Sequence, residues 1–273
     1  MPELPEVETT VLGLKPHIMQ QTIVAVTIRQ HQLRWPIPTD TPSHITGQII
    51  QTIYRRGKYI LMPTTSGTIL IHLGMSGRLS IVPTTEAPGK HDHIDLHLAN
   101  QQMIRYTDPR RFGAFLWSTE QPIVHHRLLN KLGIEPFDPQ FHGDYLWQKA
   151  RNKTTPIKSF IMDQQIIVGV GNIYATEALF MTGLHPNTPA KSISAHKMTQ
   201  LAQAIQTILQ YAIAQGGTTL KDFLGAKGET GYFKLQLQVY DRSGLPCPIC
   251  KTLLQKLVIA QRASAFCPTC QVF

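Results

Sequence analysis

Only four cysteines occur in this 273-residue chain, and none lies before residue 247. A disulfide framework spread through the fold is thereby excluded. Long apolar runs are missing too: no stretch reaches the ~18 residues that a membrane-spanning helix needs. A basic leader is absent. The chain starts Met-Pro-Glu-Leu-Pro-Glu, acidic and proline-rich, the opposite of an export signal, so the cytoplasm is the expected location. Acidic groups are scarce, 17 against 26 Lys and Arg, which leaves a net charge of +9. That excess has no tail to sit in. Residues 1–133 carry 13 basic and 9 acidic groups, and residues 134–273 carry 13 and 8. A basic body without a basic tail favours a polyanion lying across both halves. A dinucleotide fingerprint is absent as well, because Gly169-Val170-Gly171 lacks its third glycine and a βαβ setting.

What is present begins with those cysteines. Cys247-x2-Cys250 is followed by sixteen residues and then Cys267-x2-Cys270. Each two-residue knuckle puts a pair of thiolates on one side of a tight turn, and two knuckles complete a tetrahedral S4 zinc site. Four thiolates close the shell, so the expected metal is one structural zinc ion. Two disulfides are the alternative, disfavoured in a reducing compartment. Between the knuckles, Thr252–Ile259 and Ala263–Phe266 are expected as strands of a hairpin. Its tip is Ala260-Gln261-Arg262-Ala263, holding Arg262 outward.

The apolar fraction of 42% is enough for real cores. At the start, Pro2 and Glu3 admit two readings. Proline with glutamate in a first turn is ordinary helix initiation. Alternatively, loss of Met1 exposes a secondary amine that can attack a carbonyl-like carbon, with Glu3 as general acid or base. A short helix is expected over Glu6–Leu14, with Val7, Val11 and Leu14 on one face.

From Thr22 the period becomes two. Ile23–Ile28, Ile49–Tyr54, Tyr59–Met62, Thr68–Leu73, Ile94–Leu98, Met103–Tyr106 and Phe112–Trp117 are strand candidates, which points to a sandwich or barrel. Arg55-Arg56-Gly57-Lys58-Tyr59 places three cations around a glycine turn. His91-Asp92-His93 lacks a third ligand for a metal. Tyr106–Gly113 is a turn with Arg110, Arg111 and Phe112, suited either to phosphate contact and base stacking or to placing Phe112 in the core. Residues 130–150, rich in proline and glycine, are expected as a linker. Gly169–Tyr174 feeds a helix N-terminus, an anion site. Ser194 caps an amphipathic helix bearing Met198, Leu201, Ala202, Ile205, Leu209 and Ile213, which Gly216-Gly217 stop. Gly225–Gly231 is expected as a polar loop.

Taken in order, MPELPEVET, RRGKY, HLGMSG, KHDH, YTDPRRFG, VGVGNIY, GGTTLKDF, the stretch 235–244 and the AQRA hairpin resemble the formamidopyrimidine-DNA glycosylases over nearly the whole chain. Leu4 stands where the pyrimidine-preferring sister branch usually has glycine. The resemblance implies an α+β protein of two lobes. A catalytic β-sandwich with an N-terminal helix would span 1–133, with a linker at 134–150. A helix–two-turns–helix domain would follow at 151–235, and a zinc finger at 236–273. It implies a monomeric base-excision enzyme acting on double-stranded DNA that contains oxidised purines, with the target nucleotide flipped out of the duplex. Pro2 would be the nucleophile, Glu3 the sugar's proton-transfer group, Lys58 an aid to base loss and first elimination, and Arg262 an aid to the second. His91, Arg110, Asn172 and a basic residue near Lys153 would hold phosphates. Met75, Arg110 and Phe112 would fill the void left by the flipped base. Two rival readings are a non-catalytic zinc-finger DNA binder and the sister enzyme.

Overall fold

The computed structural model describes residues 1–217 and 237–273. The expected Gly225–Gly231 loop, most of GGTTLKDF and the end of the 151–235 segment lie outside the described residues. The chain divides into two compact units. One holds Met1–Asn130 with Gln215–Lys234, the other Lys131–Ala214 with Leu235–Phe273.

The first unit is an antiparallel sandwich carrying a helix. Helix α1 spans Leu4–Ile18. Strands β1 (Ile23–Ile28), β6 (Asp92–Leu98), β7 (Gln102–Thr107) and β5 (Arg78–Pro83) form one sheet in the order β1-β6-β7-β5. Strands β2 (Tyr54–Arg56), β3 (Tyr59–Pro63), β4 (Thr68–His72) and β8 (Ala114–Ser118) form the other, in the order β2-β3-β4-β8. A short helix α2 covers Thr41–Ile45. Both sheets and α1 share one apolar core, in which Val7, Val11, Leu14 and Ile18 meet Ile60, Ile71, Leu96 and Ile104. The 3.6-residue period of α1 aligns those four side chains on one face.

Three expectations shift here. Helix α1 does not stop before Pro16 but carries it within its last turn. Ile18, fully buried, and the Met19 N–H to Lys15 C=O bond at 3.3 Å hold that turn in spite of the missing proline donor. The strand expected over Ile49–Tyr54 reduces to Tyr54 in β2, with Ile49 and Ile50 only in isolated bridges to Thr22 and Thr64. Strand β5 carries Arg78 at its start and Pro83 at its end, which hid its period. It lies at a sheet edge, where a proline is tolerated.

The second unit is helical, with a terminal hairpin. Its helices are α3 (Gly143–Ala150), α4 (Ile157–Ile161), α5 (Asn172–Met181) and α6 (Ala195–Ala214). Helix α3 lies inside the segment expected as a linker: Leu146 and Ala150 are buried, and α3 packs along α6. Ser194 Oγ accepts the Lys197 N–H at 3.3 Å, so the expected cap of α6 is formed. Strands β9 (Gln255–Ile259) and β10 (Arg262–Phe266) make the hairpin. Its turn is Ala260-Gln261 alone, with φ of 45° and 61°. These left-handed angles fit a two-residue primed turn built without glycine or asparagine. Arg262 therefore opens β10 and is not part of the tip.

Candidate active site and metal centre

Pro2 and Glu3 stand at the N-terminus of α1, and both are buried. Glu3 is the N-cap residue. Its backbone N–H donates to Glu6 Oε2 at 2.8 Å, one half of a reciprocal capping box. The helix-initiation reading is thus correct, and it is compatible with chemistry. The cap fixes the backbone of Glu3 at the helix start.

In the same unit, Lys58 occupies the two-residue turn between β2 and β3, where Arg56 pairs with Tyr59. Gly57 comes first in that turn with φ 58°, as a II′ turn requires. Lys58 is 8% exposed. Burial, with Lys58 and Arg34 close by, lowers the His72 pKa to about 4. His72 Nδ1 accepts the Gly74 N–H at 2.9 Å, as the neutral ring allows.

Two loops present Met75, Arg110 and Phe112. Met75 is 38% exposed and Phe112 48%, so Phe112 is not a core residue. The Arg110 guanidinium lies 4.9 Å from the centre of the Phe112 ring. The loops are locked together by Asp108, which is fully buried. Its carboxylate accepts from Ser76 Oγ (2.7 Å), the Gly113 N–H (2.9 Å) and Tyr106 Oη (3.3 Å). Its carbonyl faces His93 Nε2 at 2.8 Å. A Cβ on Gly113 would lie 1.7 Å from the Tyr106 hydroxyl, and one on Gly74 would lie 2.4 Å from the Phe112 carbonyl carbon. Only glycine fits at either place. The C=O of His91 accepts the Asp108 N–H at 3.0 Å, which docks the histidine segment onto the arginine turn. Asp108 was missed as a functional residue in sequence. A buried aspartate between a threonine and a proline has the same letters as a surface turn.

In the second unit, Asn172 opens α5, and its Oδ1 is buried with no hydrogen-bond partner among the described residues. It lines a cavity of about 190 Å³ with Tyr240, Ser243 and Lys256. Tyr240 is placed by Glu177 of α5. The Glu177 carboxylate accepts the N–H groups of Gln238 (2.9 Å), Val239 (3.0 Å) and Tyr240 (2.7 Å). Burial raises the pKa of Glu177, and these three donors oppose the rise. Glu177, Tyr240 and Lys256 were also missed, since only the fold brings them to Asn172. Lys153 is exposed just past α3. Nearby Arg151 lies over the Trp147 ring at 5.3 Å.

The four cysteine sulfurs lie within 4.8 Å of one another. Cys247 and Cys270 Sγ are 3.9 Å apart, and Cys250 and Cys267 Sγ 3.4 Å. A disulfide needs about 2.05 Å. A tetrahedral ZnS4 centre with Zn–S bonds of ~2.3 Å places its sulfurs about 3.8 Å apart, so the cluster fits one structural zinc ion. Among the described residues no other group of three or more His, Cys, Asp or Glu is placed to hold a metal, His91-Asp92-His93 included. The Gln271 amide links the centre to the unit: Oε1 accepts the Cys267 N–H and Nε2 donates to Leu184 C=O, both at 2.9 Å. At the other end of the hairpin Arg262 is exposed. Behind it, Lys158 of α4 is 1% exposed and donates to Ala263 C=O (3.2 Å) and Ser264 Oγ (2.7 Å).

Three family models match the chain. They are the formamidopyrimidine-DNA glycosylase N-terminal domain over residues 1–115, its H2TH domain over 132–223, and the zinc finger found in FPG and IleRS over 244–272. The chain is 52% identical over 272 residues to formamidopyrimidine-DNA glycosylase of Photobacterium damsela subsp. piscicida, covering 99% of this chain and 100% of the relative. It is also 52% identical over 271 residues to that of Legionella pneumophila subsp. pneumophila, covering 99% and 98%. Among solved structures, a complex of wild-type Lactococcus lactis Fpg with N7-benzyl-Fapy-dG DNA superposes with a TM-score of 0.92 at 31% identity, over the whole of both chains. A complex of the same enzyme with abasic-site DNA superposes with a TM-score of 0.92 at 31% identity, over 99% and 100%. The sandwich unit with its capped Pro2-Glu3 terminus, the helical unit and the four-thiol hairpin all fall within those matches, and the chain belongs to the formamidopyrimidine-DNA glycosylase family.

Proposed function

We propose that this chain is a DNA glycosylase and lyase that removes oxidised purines from duplex DNA. Pro2 and Glu3 carry the reading: they are buried side by side at a capped helix start, in the same unit as a buried Lys58. Removal of Met1 frees the Pro2 nitrogen. It attacks C1′ of the damaged nucleotide as the bond to the base breaks, and Lys58 assists departure of the base. Glu3 transfers a proton to and from the ring oxygen as the sugar opens. The cationic imine then acidifies the neighbouring C2′–H, whose loss expels the 3′ phosphate. A second elimination, aided by Arg262, expels the 5′ phosphate. The base departs with the electron pair of its bond to C1′. Each elimination takes a pair from a C–H bond that loses its proton while the C–O pair leaves with the phosphate, so no redox cofactor is consumed.

His91, Arg110, Lys153 and Asn172 hold phosphates in this reading, and Met75, Arg110 and Phe112 occupy the space left by the extruded nucleotide. The exposed Met75 and Phe112 suit that task, since neither is used by the core. Residues 1–133 form the catalytic domain, 151–235 the helix–two-turns–helix domain and 236–273 the zinc finger. Helix α3 belongs with the helical unit and not with a linker. No described helix is long and apolar enough to cross a membrane. A monomer in the cytoplasm completes the proposal.

A duplex with a single 8-oxoguanine tests it. The expected products are free base and a one-nucleoside gap bearing phosphate at both ends. A shift in mobility without cleavage would favour the non-catalytic binder. The sister reading also merits a direct test, because Lactococcus lactis Fpg has been solved with DNA containing an oxidised pyrimidine. Faster cleavage of thymine glycol than of 8-oxoguanine would reassign the substrate class.

A further inference from the structure

Arg55 joins the two elements that hold the reacting side chains of the first unit. Its Nε donates to Glu8 Oε2 at 2.8 Å, and its Nη1 donates to Gly57 C=O at 3.1 Å. Glu8 lies on α1, one and a half turns beyond Glu3. Gly57 immediately precedes Lys58. A single planar guanidinium thus ties the helix that follows Pro2 and Glu3 to the turn that carries Lys58. The Arg55 side chain is 8% exposed and that of Glu8 26%, so the pair is shielded from solvent on the arginine side. Burying a guanidinium for stability alone gains little, because an apolar side chain of similar size packs as well without the loss of hydration. What an apolar residue cannot do is reach a carboxylate and a carbonyl in two fixed directions.

We propose that Arg55 is a positioning residue of the reaction, setting Lys58 against the Pro2–Glu3 terminus through Glu8 and Gly57. The proposal rests on the roles given above to Pro2, Glu3 and Lys58. Arg55 itself touches neither the sugar nor the base. Its loss lets the Gly57-Lys58 turn shift relative to α1, and a displacement of about 1 Å at a reacting group costs on the order of a hundredfold in rate.

The test uses the full-length zinc-loaded protein and an 8-oxoguanine duplex at saturating concentration, under single turnover. The readouts are borohydride trapping rate, affinity for a duplex with a non-cleavable abasic analogue, and melting temperature. Arg55→Lys keeps the charge but loses the fork, and Glu8→Ala removes the helix anchor. Both are expected to trap roughly 10- to 100-fold more slowly with affinity within about threefold of wild type, the pattern of a group that acts on kcat and not on binding. Glu8→Gln retains an acceptor oxygen and is expected to trap within about threefold of wild type. Arg55→Lys and Glu8→Ala trapping at the wild-type rate would overturn the proposal. Weakened binding with an unchanged saturated rate would also overturn it, and would make Arg55 a phosphate contact. Failure of the wild-type protein itself to trap through Pro2 would instead remove the underlying assignment.

Discussion

The two units hold the residues proposed to react by different means. In the sandwich, Pro2, Glu3 and Lys58 sit on a helix and a turn backed by one apolar cluster that runs from Val7 to Phe115 and draws on both sheets. In the hairpin, Arg262 sits on a ribbon whose core among the described residues is Phe180, Val239, Leu254 and two of the cysteines. A two-stranded ribbon with so little apolar backing is not stable alone. The metal replaces a core at one end of it, and the Lys158 ammonium stiffens the other. The first unit is therefore held mainly by apolar packing, and the hairpin by a metal and a buried ammonium.

That contrast yields graded predictions. Stripping zinc should abolish nicking while leaving the sandwich folded, because structural zinc contributes on the order of 10 kcal/mol to a motif of this kind. Far-UV and near-UV circular dichroism with a nicking assay on verified metal-free protein would check it, and full activity would erase the distinction between the units. Asp108→Ala strands the Ser76, Tyr106 and Gly113 donors together and should cost about 3 kcal/mol in the sandwich. Chemical denaturation measures that loss, and DNA affinity should fall with it as the Met75 and Phe112 loops separate. Lys158→Met keeps the volume of the side chain but frees Ala263 C=O and Ser264 Oγ. It should slow the second elimination about tenfold while leaving base release near wild type, as for an aid to one step only. Products stalled after the first elimination would report it on a gel.

The smallest effect is a pH dependence in the sandwich. Folded His72 titrates at about 4, against an ordinary value of 6.5. On acidification the unfolded chain takes up this proton first. The contribution to stability is therefore complete above pH 6.5 and declines as the pH falls towards 4. His72→Gln should flatten the stability curve across that window, and an unchanged slope would show that another group titrates there.

Much of this was legible in the sequence because local chemistry and global fold agree. The cysteine knuckles, the α6 stripe with Ser194 before it, and the alternating strands each carry their own signal. The hairpin turn was misplaced because Ala260-Gln261 adopts left-handed angles with no glycine or asparagine to announce them. Helix α3 was taken for linker because prolines flank it. Its stability comes from packing on α6, which no local pattern records. The site divides in the same way. Pro2, Glu3, Lys58 and Arg262 stood out through motif and resemblance. Asp108, Glu177 and Arg55 hold partners distant in sequence, or backbone groups, and Tyr240 and Lys256 join the cavity beside Asn172 only once the chain is folded.

Pro2 is the proposed nucleophile, and every later step of the reaction depends on it. Borohydride reduction during reaction with an 8-oxoguanine duplex, followed by mass mapping of the cross-linked peptide, tests it most directly. One DNA adduct is expected, on the nitrogen of Pro2, in protein that has lost Met1. An adduct on a lysine, or cleavage by protein that retains Met1, would contradict it.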